Sequence, residues 1–167
     1  GDAKETAGAW KYALERTDGP TALLLTRQGV PTLAETRSEV GAGGYVVWEP
    51  EGATADSLDG ILVATGSELA LAVDAAKRLS ESGKSVRVVS LPCWEAFEAS
   101  DAATRDAVLP PSVNKRLSIE AGTSLGWARY ASAHVAIDHF GASAPAGVLA
   151  EKFGFTVDQV VARYEGL

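Results

Sequence analysis

From residue 45 onward, short strand-forming runs alternate with helical patterns, and this alternation constrains the chain more than any other feature. Tyr45-Val46-Val47-Trp48, Ile61-Leu62-Val63-Ala64, Val86-Arg87-Val88-Val89-Ser90 and Leu117-Ser118-Ile119-Glu120 read as strands, with Ala133–Ile137 as a fifth. Between them, Ser67–Ser80 is an amphipathic helix with Leu69, Ala72, Val73, Ala76 and Leu79 on one stripe and Gly83 as its C-terminal cap. Ala102–Leu109 is a short helix closed by Pro110-Pro111, and Ala144–Phe153 a helix ending at Gly154. The last helix starts at Thr156, whose spacing to Gln159 fits a capping box, and carries Val157, Val160, Val161 and Tyr164 on its apolar side. Strands spaced by helices predict an α/β fold: a three-layer α/β/α arrangement around a mostly parallel sheet of about five strands.

The first part of the chain does not fit that unit. Ala3–Arg16 has a helical pattern with Ala7, Trp10, Ala13 and Leu14 to one side, stopped by Asp18-Gly19-Pro20. Thr21-Ala22-Leu23-Leu24-Leu25 follows as a continuously apolar strand of the kind buried on both faces. One helix and one strand cannot close a sheet. Residues 1–35 are therefore expected to be the incomplete end of another α/β domain, residues 36–43 a linker, and residues 44–167 a complete domain.

Charge narrows the partners. Fifteen Lys and Arg against 22 Asp and Glu leave a net charge of −7, without a basic run, so neither nucleic acid nor an anionic membrane face is expected as a partner. No apolar stretch is long enough to span a bilayer. The polar N-terminus and the single cysteine, Cys93, fit a cytoplasmic protein.

Candidate sites fall mostly in strand-to-helix turns. Thr65-Gly66-Ser67-Glu68 has backbone amides that could hold an anion, but no phosphate-binding glycine motif is present, and Ser67 or Thr65 capping the helix is the favoured reading. Cys93 with His134 or His139 lacks the flanking pattern of a nucleophile pair and the spacing of a zinc site. Glu120, just past a strand, could act as a general base, although a carboxylate bonded to neighbouring N–H groups is favoured. Trp48, Trp94 and Trp127 read as core or interface anchors. Arg27, beyond Thr21–Leu25, could bind a phosphate through two parallel N–H bonds, or could simply be a solvated turn residue.

Read in order, Glu5-Thr6-Ala7, Gly19-Pro20-Thr21-Ala22-Leu23, Thr26-Arg27-Gln28, Gly43-Gly44-Tyr45-Val46, Ala64-Thr65-Gly66-Ser67-Glu68, Leu91-Pro92-Cys93-Trp94 and Phe140-Gly141-Ala142-Ser143-Ala144-Pro145 resemble the transketolases. The resemblance runs along nearly the whole chain. It implies that residues 1–35 end a pyrimidine-binding domain and that residues 44–167 form a C-terminal domain without catalytic residues. The implied parent enzyme is a homodimer that moves a two-carbon ketol group between sugar phosphates in the pentose phosphate pathway. It would use thiamine diphosphate and a divalent metal, Mg or Ca. Arg27, in the matching block, inherits a substrate-phosphate role, which tips the reading of that residue towards function. No cofactor or metal site is expected within these residues, and the chain alone is expected to be inactive. Two other readings are a synthase or dehydrogenase β-subunit of the thiamine superfamily and a free-standing assembly module.

Overall fold

The computed structural model describes residues 1–167. Five strands form one sheet in the order β1-β3-β2-β4-β5. They are β1 (Tyr45–Trp48), β2 (Gly60–Ala64), β3 (Val86–Ser90), β4 (Arg116–Ile119) and β5 (Ala133–Val135). β2 pairs in parallel with β3 on one edge and β4 on the other, and β5 extends the parallel set. β1 alone runs antiparallel, against β3. The expected mostly parallel α/β/α fold is present, with the antiparallel edge strand as a detail that local pattern does not carry.

Alternation along β2 divides the core. Leu62 and Ala64 point to one face, where α2 (Glu68–Glu81) and α6 (Val157–Glu165) pack through Leu69, Val73, Leu79, Val160 and Tyr164. Ile61 and Val63 point to the other, towards Phe97, Val108, Leu109, Trp127 and Tyr130. That second layer is built by α3 (Trp94–Ala99), α4 (Ala102–Val108) and a short 3-10 turn at Trp127–Arg129. Fully burying each of these large apolar side chains contributes about 1.5–3 kcal/mol, so two separate clusters hold the sheet from both sides. As expected, Thr156 caps α6, its hydroxyl accepting from Gln159 N at 3.4 Å. The remaining helix, α5 (Ala146–Phe153), ends at Gly154 in the left-handed conformation, with φ of 92°.

Two expectations need correction. The strand-to-helix turn expected around Cys93 runs straight into a helix, because Trp94–Ala99 forms α3, too short to register as a periodic pattern. Thr21–Leu25 is not a strand: no neighbouring chain segment offers it a ladder, and Leu24 is 92% exposed. The first helix, α1 (Ala3–Glu15), lies where expected, and its apolar side faces outward. Trp10 and Leu14 are exposed, whereas Glu5 and Gly8 are the buried residues. Gly8 lies so close to the Ser38 carbonyl that a Cβ there would sit 2.0 Å from the oxygen. The helix docks by its polar, narrow edge and turns its apolar side outward.

Gly43 marks the turn into β1. Its φ is 78°, and an added Cβ would meet Phe97 N at 2.2 Å and Cys93 O at 2.3 Å. Both contacts are main-chain atoms at the start of α3, so nothing flexible can yield. Gly43→Ala is expected to destabilise the protein by about 3 kcal/mol. Gly66→Ala, at φ of 58° with open space around it, should cost only about 1 kcal/mol. Urea denaturation of the two variants compares them directly.

Candidate site at the carboxyl edge of the sheet

Parallel strands direct their carboxyl ends and following loops to one edge, where α/β proteins place ligands. Here the loops after β2 (Thr65–Ser67), β3 (Leu91–Cys93) and β4 (Glu120–Leu125) gather at that edge. A strap of chain, residues 16–32, lies over them, and two adjoining clefts separate it from the loops. The larger, about 890 Å³, runs between Pro20, Ala22 and Leu24 of the strap and Pro92, Trp94 and Gly122. Trp94 in its wall meets Trp127 edge-on, with ring centroids 4.9 Å apart, and Tyr130 at 5.3 Å. These rings support one another as the anchors their type predicts.

The second cleft, about 580 Å³, is acidic. Glu5, Glu68 and Glu120 line it together with strap residues Leu24 and Thr26, and no lysine or arginine is among its lining residues. Glu5 is 3% exposed; its Oε1 accepts from Tyr45 Oη at 2.8 Å and from Ser90 Oγ. Burial and the negative charge of Glu5 hold the Tyr45 phenol far above its ordinary range. Glu68 Oε1 accepts from Ser67 Oγ at 2.7 Å. Glu120 Oε2 is buried without a hydrogen-bond partner, and, unlike Glu5 Oε2, it has no ion-pair partner either. Burial, reinforced by the charge of Glu68, pushes its carboxyl up to about 7.

Two favoured readings are thereby overturned. Glu120 is not a carboxylate bonded to neighbouring N–H groups, since β4 ends by giving Glu120 N to Val135 O while its side-chain Oε2 finds no donor. Neither Ser67 nor Thr65 caps α2. Ser67 already has helical backbone angles, φ −61° and ψ −23°, from which its hydroxyl cannot reach the first-turn amides. Cys93 and the histidines are not brought together. Cys93 Sγ faces Glu95 Oε2 at 3.7 Å, His134 Nδ1 pairs with Ser118 Oγ at 2.7 Å, and His139 Nδ1 with the Phe140 carbonyl at 2.8 Å.

Arg27 sits on the strap at the bend of residues 27–28, exposed, outside the lining of both clefts and in no ion pair. Thr26 Oγ1 donates to Gln28 Oε1 at 2.6 Å across it. The residues missed in the sequence are Asp2, Glu5 and Glu68. Asp2 and Glu5 have the spacing of a helix start with an acid three residues on, which signals a cap; nothing local signals that Glu5 reaches β1 and β3.

Chemically, the acidic cleft does not fit a diphosphate. Carboxylates outnumber cations around the cleft and repel a polyanion, and no group of three or more side chains converges with metal-ligand geometry.

Comparison with known proteins agrees in both sequence and fold. A family model described as the transketolase-like TK C-terminal domain matches residues 43–156. The transketolase of Geobacillus stearothermophilus is 52% identical over 99% of this chain, which covers 25% of that protein. The transketolase of Leishmania mexicana superposes with a TM-score of 0.90 at 46% identity, over 99% of this chain and 24% of that one. A Pichia stipitis transketolase solved in complex with sedoheptulose 7-phosphate superposes equally well, TM-score 0.90 at 38% identity, with the same coverage. The chain thus spans about a quarter of the length of the relatives it matches.

The proton on Glu120 gives a test. The folded protein holds it more tightly than an unfolded glutamate near 4.5. Its stabilising contribution is present below that pH and is lost as pH rises through about 7. Glu120→Gln should therefore raise the melting temperature at pH 8 by about 3 °C, on the order of 1 kcal/mol after solvent screening. At pH 5 it should change little. Thermal unfolding at both pH values measures this.

Proposed function

This chain belongs to the transketolase family, and from that membership we propose that it serves as the C-terminal part of an enzyme transferring a two-carbon ketol group from a ketose phosphate to an aldose phosphate. The parent enzyme uses thiamine diphosphate with a divalent metal, Mg or Ca, held by residues outside this chain. The relatives named transketolase, and the Pichia stipitis protein solved with a sugar phosphate, support the substrate class. Residues 1–35 belong with a pyrimidine-binding domain and residues 44–167 form the C-terminal domain, joined by the linker 36–43.

Within this reading Arg27 binds the phosphate of the sugar. The observation that carries it is a guanidinium left exposed, without an ion pair, on a strap laid over the carboxyl edge of the sheet. An arginine kept free of carboxylates retains its full charge and both parallel donors for a phosphate dianion. The other proposed role is assembly. Trp10, Leu14, Leu24 and Leu25 leave apolar surface exposed on α1 and the strap, which the rest of a dimeric parent would cover. The chain itself contributes no group to ketol transfer beyond binding, because the cofactor supplies that chemistry.

In the full-length enzyme, Arg27→Ala is expected to raise KM for phosphorylated acceptors by the equivalent of about 1.5–3 kcal/mol, with unphosphorylated acceptors nearly unaffected. Steady-state kinetics on both acceptor classes checks this, and equal losses on both would count against a phosphate contact. The 167-residue chain alone should not bind thiamine diphosphate and magnesium. Calorimetric titration showing micromolar affinity would refute that.

A further inference from the structure

We propose that Tyr45 and Ser90 form a socket by which the C-terminal domain holds the domain before it, with the Glu5 carboxylate as the key that enters it. On the reading of residues 1–35 as the end of that preceding domain, on which this rests, Glu5 stands on one side of a domain boundary and both hydroxyls on the other. Tyr45 opens β1 and Ser90 closes β3, and the two are register partners in the antiparallel pair, so their side chains stand next to each other on one face of the sheet. They are 1% and 0% exposed. Tyr45 Oη donates to Glu5 Oε1 at 2.8 Å, and Ser90 Oγ donates to the same oxygen. Neither hydroxyl donates elsewhere. The other carboxylate oxygen, Oε2, lies 2.7 Å from Gly1 N and plays no part in the socket. A carboxylate brought against the sheet is costly unless donors meet it, and two buried hydroxyls are costly unless an acceptor arrives. Each side therefore requires the other.

The two sides of α1 suit two neighbours. Glu5 and Gly8 are its buried residues, and a Cβ on Gly8 would stand 2.0 Å from the Ser38 carbonyl, so the helix meets the linker at backbone distance. The opposite side carries Trp10 and Leu14, which on this reading face the rest of their own domain. A helix with its polar edge towards the C-terminal domain and its apolar side towards its own domain is a boundary element. Superposition over 99% of this chain on the Leishmania mexicana transketolase takes in α1 and the sheet together, so a longer chain seats the helix in the same place. Domains of one chain move relative to each other unless their interface fixes them. Apolar packing tolerates sliding, whereas one carboxylate oxygen meeting two hydroxyl donors accepts a narrow range of positions. The contact is thus a latch that sets how the C-terminal domain is seated on its neighbour.

Glu5→Ala removes the key, and Ser90→Ala removes half of the socket without touching the linker. In the 167-residue chain, Glu5→Ala should speed hydrogen exchange at the α1 amides of Trp10–Leu14 about 10-fold while Val86–Val89 stay within about 2-fold. In the full-length enzyme, trypsin cleavage after Arg37, an exposed linker residue, should quicken about 5-fold or more and release a fragment that begins at Ser38. Ser90→Ala should act in the same direction more weakly, and serves if Glu5→Ala fails to fold. The double variant should add nothing to Glu5→Ala, because both substitutions break one contact. Unchanged α1 exchange in Glu5→Ala overturns the latch, and so do effects of the two substitutions that add in full. If α1 and Val86–Val89 lose protection together, α1 is part of the C-terminal domain, and the division of the chain near residue 35 falls and takes the proposal with it. If α1 exchange quickens but linker cleavage does not, other contacts seat the two domains, and the latch falls while the division stands.

Discussion

Strand β2 is paired on both edges and covered on both faces, with Ile61, Leu62, Val63 and Ala64 wholly buried. A strand so enclosed requires helices above and below, because each face presents large apolar side chains that water would otherwise meet. α2 and α6 meet the requirement on one side, and α3, α4 and the turn at Trp127 on the other. The parallel pairings of β2 also fix the polarity of the molecule. All the loops that leave β2, β3 and β4 emerge at one edge, and the site follows from that direction alone.

What covers this edge is held by charge and hydrogen bonds rather than by apolar contact. α1 buries an acid and a glycine and exposes a tryptophan and a leucine. The buried Glu5 is tolerable because Tyr45 and Ser90 donate to it; a bare carboxylate in that position would cost several kcal/mol. Such polar docking is specific in orientation, since each donor meets one oxygen. An apolar interface would leave the helix freer to slide.

Local pattern made most of residues 44–167 legible. Strands β1 to β5 and helices α2, α4, α5 and α6 fall within a few residues of their sequence positions, because short apolar runs and helical stripes are local properties. Two features escaped for physical reasons. α3 has only six residues, less than two full turns, and begins just after Pro92. Thr21–Leu25 has strand composition, but a strand exists only through a partner and this fold offers none. The apolar side of α1 was legible as a stripe, while the burial of Glu5 and Gly8 on the opposite side was not, because periodicity reports which residues share a side and not what that side meets. At the site, Arg27 stood out through its family block. Glu5, Glu68 and Glu120 meet only through topology, across more than a hundred residues of sequence, so no spacing rule could join them.

The acidic cleft and the free arginine make sense together. Glu5 and Glu68, joined by Glu120 where it is ionised, create a field at the sheet edge that disfavours a phosphate dianion inside the cleft. Had the Arg27 side chain turned inward, those same carboxylates would pair with it and compete with any phosphate. The other cations near the strap are already engaged: Lys4 with three carbonyls, Arg16 with Asp18 and Pro20. Arg27 is left outside the cleft lining, on the outer side of the field. On the proposed reading, the negative edge and the unpaired guanidinium act in the same sense. One repels the phosphate from the interior of this domain, and the other offers it a place to bind on the strap.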